Sequence, residues 1–225
     1  MRKLTIIALF LMGTISTASA ELGLRVGAGL EIGTFDVTGK EVTPTGTTKT
    51  KTGDSEAFVG MGTFFVEKQL GFLPGFLERL SIGYSYVPHD IKSGTQDRAT
   101  TDRVSDDKDD NVTQKVQADL QDISTLYVTA NITDWLFVKA GTTDMDIVTN
   151  EKLPTGSQYG NASIDGTILG IGLHHTTDNG LFMRLEMQET SFGGITLTST
   201  TNSDNKITLD DMDGTTYRVS VGKAF

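Results

Sequence analysis

The chain has 225 residues, a formal charge of −10 at neutral pH and no cysteine. That acidity argues against nucleic acid as a partner, and disulfides are excluded although an exported chain would permit them. A mean hydropathy of −0.16 resembles that of a water-soluble protein, but a membrane β-barrel reads the same way, because only alternate strand residues face lipid.

Arg2 and Lys3 form a positive n-region, Leu4 to Met12 an apolar stretch, and Ala18-Ser19-Ala20 the small residues a signal peptidase accepts. Residues 1–20 are therefore expected to be a cleaved signal peptide and 21–225 the mature chain. The apolar stretch is shorter than the roughly 20 residues a membrane helix requires, and no cysteine follows it to carry lipid. Cleavage would remove two cations and no acid, taking the charge from −10 to −12. No later stretch is apolar enough for a membrane helix.

Period-two alternation then recurs eight times. Strand one covers about Leu22 to Gly33, with Leu24, Val26, Ala28, Leu30 and Ile32 on one face. Strand two covers Ala57 to Val66 and strand three Arg79 to Val87, the latter with Leu80, Ile82, Tyr84 and Tyr86 outward. Strand four ends near Asn131 with Leu126, Val128 and Ala130 outward; Asp122 and Ser124 interrupt that face. Strand five covers Trp135 to Thr142, strand six Thr167 to Leu173, strand seven Leu181 to Gln188 and strand eight Thr216 to Phe225. The segments near 34–56, 88–115, 143–163 and 190–214 read as long polar loops. Those near 131–134 and 174–180 read as short turns, with Thr177-Asp178-Asn179-Gly180 carrying turn chemistry. The 67–78 connection is of middle length, and Phe72, Leu73, Phe76 and Leu77 suit an interfacial turn. Alternating long and short ends give the sidedness of outer-membrane barrels. The expected fold is all-β: a closed eight-stranded antiparallel transmembrane barrel with long extracellular loops and short periplasmic turns.

On the signal, the sidedness and the final strand, the chain resembles the small outer-membrane barrels: the transmembrane domain of outer-membrane protein A and the opacity-type and W-type surface proteins. In that family the last residue is aromatic, with apolar residues at alternate positions before it. Phe225, Val221, Val219 and Tyr217 match, and Lys223 departs. The resemblance implies a location in the bacterial outer membrane, with lipid, lipopolysaccharide, periplasmic chaperones and the barrel-assembly machinery as partners, in a monomer without cofactor or metal.

The residues expected inside the barrel include Arg25, Glu31, Arg79, Lys139, Arg184, Glu186 and Arg218. Charges at membrane depth must be paired or wet. Strands seven, eight and one become neighbours on closure, so Arg218 is expected to bridge Glu186 and Glu31. Glycines 27, 29, 60, 62, 83, 141, 170, 172 and 222 share the expected inner face, making room for Phe64, Tyr127, Phe137 and Phe182. Small and large residues together fill a barrel of this size. A salt-bridged plug is the first reading. An anion-leaning conduit is the second, since five of those charges are cations and two are anions.

His174 and His175 lack the further ligands a metal needs. His89-Asp90, at the outer rim, is the one place where a catalytic His is conceivable, but no second catalytic element accompanies it. The run Asp210-Asp211-Met212-Asp213-Gly214 lacks the bidentate Glu of a calcium loop and reads as a solvated acidic loop. The expected function is that of a non-enzymatic surface protein presenting its outer loops. The alternative is a narrow passage for small solutes or apolar molecules, because fold alone does not decide function.

Overall fold

The computed structural model describes residues 23–42, 51–71, 74–92, 96–103, 109–152, 158–201 and 203–225. The expected signal peptide, Phe72, Leu73 and residues 106–108 lie outside them. The strands are β1 (Leu24–Val42), β2 (Lys51–Gln69), β3 (Leu80–Tyr86), β4 (Ile91–Lys92), β5 (Gln96–Arg103), β6 (Asp109–Asn131), β7 (Leu136–Lys152), β8 (Ala162–Thr176), β9 (Leu181–Phe192), β10 (Ile195–Thr198) and β11 (Lys206–Ala224). Eight of them, β1, β2, β3, β6, β7, β8, β9 and β11, form an antiparallel ring. β11 closes it on β1, from Arg25 opposite Ala224 to Val42 opposite Lys206. Closure leaves backbone donors and acceptors paired around most of the wall, which is what lets strands stand in hydrocarbon.

The outer face carries a belt of exposed apolar side chains, among them Leu30, Leu126, Leu169, Ile171, Leu185 and Val219. A continuous apolar girdle of this kind is a lipid-facing surface, not a solvated one. Phe76, Trp135 and Phe225 are exposed at the short-turn end, where an aromatic rim is expected. Lys223, the departure in the last strand, is explained by the adjacent β8–β9 turn: its Nζ donates to the Asn179 carbonyl. Gly180 in that turn adopts φ +80°, and a Cβ there would lie 2.6 Å from the Ala224 carbonyl oxygen.

Three expectations are corrected. First, the long polar segments are largely strand. β1 runs on to Val42, β7 to Lys152 and β9 to Phe192, while β6 begins at Asp109 and β11 at Lys206. Above the bilayer a strand no longer requires an apolar outer face, so its ladder continues through polar sequence. The acidic run at 210–214 therefore lies within β11, where Asp210, Asp211 and Asp213 are all exposed and the register against β1 shifts between Val37 and Gly39. Second, β2 faces the other way. Val59, Thr63 and Phe65 are buried inside, while Phe58 and Phe64 are 74% and 58% exposed outside. Pairing sets Phe65 opposite Gly27 and Phe64 opposite Ala28, and only a glycine at position 27 leaves room for the Phe65 ring. Gly60 and Gly62 therefore face outward, not into the lumen. Third, Arg79 is not a lumen charge. It ends the short 3-10 turn Gly75–Arg79, is exposed, and donates to the Ile132 carbonyl of the adjacent turn.

Candidate functional site

Inside, the turn-side half of the barrel is filled by charge. Arg184 donates through both terminal nitrogens to Glu67, the Nη2–Oε2 contact being 2.5 Å. Tyr127 donates its hydroxyl to the same carboxylate at 3.0 Å, and Arg25 stands 4.0 Å away. The rings of Phe65, Phe137 and Phe182 surround the Arg184 guanidinium at 5.5, 5.1 and 5.2 Å. One layer further out, Arg218 lies 2.5 Å from Glu31 and 3.6 Å from Glu186. Glu31 also accepts from Thr216 at 2.6 Å and from Gln188 at 3.1 Å. Lys139 donates to Gln188 at 2.8 Å, lies 3.7 Å from Glu186 and sits over the Tyr127 ring.

Six of the seven charges expected in the lumen are thus brought together, and Arg79 is not. Glu67 is the member the sequence reading missed. It has the parity of Val59, Thr63 and Phe65, so an inverted β2 hides it. With Glu67 in and Arg79 out, four cations face three carboxylates across the two layers. This near balance removes the basis for an anion-leaning conduit. Ion pairs that are hydrogen-bonded and buried hold one geometry. In planar bilayers the protein is accordingly expected to show no steady conductance, and a sustained open level would overturn the plug.

Above the plug the interior changes character. Along β7 the inward residues pass from Lys139, Gly141 and Thr143 to Met145 and Ile147, while the outward ones pass from Val138 and Ala140 to Asp144 and Asp146. β1 makes the same exchange, with Phe35 inside and Asp36 outside, and β9 likewise, with Phe192 inside and Glu189 outside. The polarity of the wall inverts where the strands leave lipid for water. Within, Met145, Ile147, Ile164 and Phe192 form an apolar core, joined by Phe35, Leu120, Ile123 and Met212.

Between this core and the plug lies a cavity of about 100 Å³. Ala57, Val59, Met61, Val87, Ile91, Met145 and Ile168 are among its walls, and Glu31, Gln188 and Arg218 form its floor. The hydroxyls in the wall are turned onto their neighbours: Thr125 donates to Thr143, which donates to the Ser124 carbonyl. Above the charged floor, most of what faces the space is apolar. A bulge in β6 between Gln121 and Ser124, with Asp122 at φ 52°, shifts the strand's parity so that Leu120 as well as Ile123 lines the cavity.

The wall beside this cavity is incomplete. β3 pairs with β2 only from Ser81–Gln69 to Tyr86–Phe64. Val87 then stays with β6, donating to the Ile123 carbonyl, and β4 and β5 pair with β6 as well. Among the described residues, β2 outward of Phe64 is paired with β1 alone. Gly62 lies opposite Leu30, and Gly60 opposite Ile32, so the gap starts inside the apolar belt.

His89 lies at this gap, with Nε2 accepting from the Gly62 N–H at 2.9 Å. The Asp90 carboxylate accepts from Gln121. His174 stacks on Phe137. Among the described residues no three His, Cys, Asp or Glu side chains are grouped to hold a metal.

No protein-family model and no curated protein sequence matches the chain. Solved structures of outer-membrane proteins align with it over most of its length. The chain is similar to Neisserial surface protein A at 11% identity and a TM-score of 0.41, over 90% of this chain and 97% of that one. It is similar to the outer-membrane protein OprG from Pseudomonas aeruginosa at 10% identity and a TM-score of 0.44, over 92% and 99%. It is likewise similar to the outer-membrane protease OmpT from Escherichia coli at 10% and 0.44, over 93% and 99%. The ring itself, eight antiparallel strands closed by β11 on β1 inside an apolar outer belt, is that of a transmembrane β-barrel.

Proposed function

We propose that this barrel lies in the bacterial outer membrane, admits a small apolar molecule to the outer half of its lumen, and exchanges it sideways with the membrane. The cavity carries this reading. A barrel that only anchors loops gains nothing from an unfilled apolar space, since underpacking costs stability. A lining of this kind favours an apolar guest over water, and its volume is of the order of the roughly 150 Å³ cavity known to take up benzene. The charged floor closes the route toward the turn end, so the unpaired stretch of wall at β2 is the exit that fits.

The test is binding. The protein reconstituted in lipid nanodiscs is expected to bind a small aromatic fluorophore saturably, and a non-fluorescent hydrocarbon should displace it. A signal that only follows lipid content would overturn the reading.

A second reading, a surface protein acting through its outer ends, is favoured by the β5–β6 hairpin. That hairpin pairs from Gln96–Val116 to Arg103–Asp109 and extends the wall well beyond the apolar belt. The two readings use different parts of the molecule and are compatible.

A further inference from the structure

Among the described residues, the gap between β2 and the end of β3 is bridged by one side chain. Pro88 has no N–H to offer a strand partner, and beyond it β4 pairs with β6. His89, the next residue, reaches back so that Nε2 accepts the Gly62 N–H at 2.9 Å. Its Nδ1 lies 3.3 Å from the Asp90 carbonyl oxygen. A proton on Nδ1, directed at that carbonyl, leaves Nε2 as the nitrogen with the free lone pair. The imidazole thus takes the hydrogen bond that a neighbouring strand would take elsewhere in the ring.

The glycines mark the same spot. Glycines inside this barrel make room for a ring: a Cβ at position 83 would stand 2.4 Å from Tyr127, and one at position 172 would stand 2.5 Å from Phe137. Gly60 makes room for nothing, with no atom within 4 Å of its missing Cβ, and the nearest to that of Gly62 is the His89 Nε2 at 3.7 Å. Glycine weakens a strand, so two of them facing lipid, neither making room for a ring, are unexplained by the wall itself. Between the exposed rings of Phe58 and Phe64 they leave a notch on the outside of the gap, opposite the cavity-lining Val59 and Met61.

We propose that His89 is the latch of a lateral portal, and that its swing away from Gly62 is the step that lets an apolar guest pass between the cavity and the outer leaflet. One exposed hydrogen bond holds the latch, where a full ladder holds the rest of the wall, so it opens without unfolding the barrel. The proposal rests on the binding role of the cavity.

Association and dissociation rates of the small aromatic fluorophore, measured by stopped flow in nanodiscs, test it with His89→Ala and His89→Gln. The Ala variant is expected to raise both rates several-fold and leave affinity nearly unchanged. The Gln variant, whose Oε1 can accept the same N–H, should stay close to wild type. Hydrogen exchange at the Gly62 amide should be slow in wild type and in His89→Gln, and fast in His89→Ala. Binding with equal rates in all three proteins, or a Gly62 amide equally protected in His89→Ala, overturns the latch alone. Failure of wild type to bind the fluorophore overturns the cavity reading and the portal with it.

Discussion

Glu67→Gln is expected to destabilise the barrel by about 3–5 kcal/mol, the range for removing one partner of a buried ion pair. Glu67 is 1% exposed and accepts from Arg184 and Tyr127. A glutamine keeps an acceptor for Tyr127, so the effect isolates the charge. Without the carboxylate, the Arg184 guanidinium is left among Phe65, Phe137 and Phe182, with the cation Arg25 near the same vacated position. Rings stabilise such a cation only partly, by about 0.5–2 kcal/mol. Urea titration of the folded barrel in lipid measures the loss. Glu67→Met combined with Arg184→Met should recover much of it, because replacing both charges removes the desolvation cost along with the attraction. If Glu67→Gln unfolds at the wild-type urea concentration, the pair does not hold the plug.

The fold is legible in the sequence where lipid imposes its pattern. Leu126, Val128 and Ala130 alternate with Thr125, Tyr127 and Thr129, and that is enough to orient β6 within the belt. The heights of Glu31, Glu186 and Arg218 could be counted from strand ends, because closure makes β9, β11 and β1 neighbours. β2 was misleading for a physical reason. Val59, Met61, Thr63 and Phe65 look like a lipid face, whereas the true lipid face carries Gly60 and Gly62 between Phe58 and Phe64. Only the pairing with β1, which sets Phe65 against Gly27, resolves it, and pairing across 38 residues of chain is not visible in a local window.

The cavity was missed for a different reason. Phe35, Met145, Phe192 and Met212 fall in segments that were read as loops, since no apolar outer face accompanied them. The signal was present in inverted form. In Asp144-Met145-Asp146-Ile147 the period is still two, but the acids point out and the apolar residues point in. Alternation with its polarity reversed marks a strand that has left the bilayer and begun to enclose an interior of its own.

That inversion gives the sharpest test of the cavity. Ile168→Trp is expected to weaken binding of the small aromatic fluorophore about tenfold or more, a loss of at least about 1.4 kcal/mol. Ile168 is buried on β8 and lines the space, which is too small to hold both an indole and a guest. Because the indole enters space that is already open, the fold should bear it within the roughly 1–3 kcal/mol typical of overpacking. Leu169→Trp is the control. It lies one residue further along the same strand and is 64% exposed on the lipid face, since successive strand side chains alternate between faces. It should leave binding unchanged. Equal losses from both substitutions would mean that the probe reports the lipid-facing surface. No loss from either would mean that the guest does not occupy the barrel, and the outer hairpins would then be the part of the molecule to pursue.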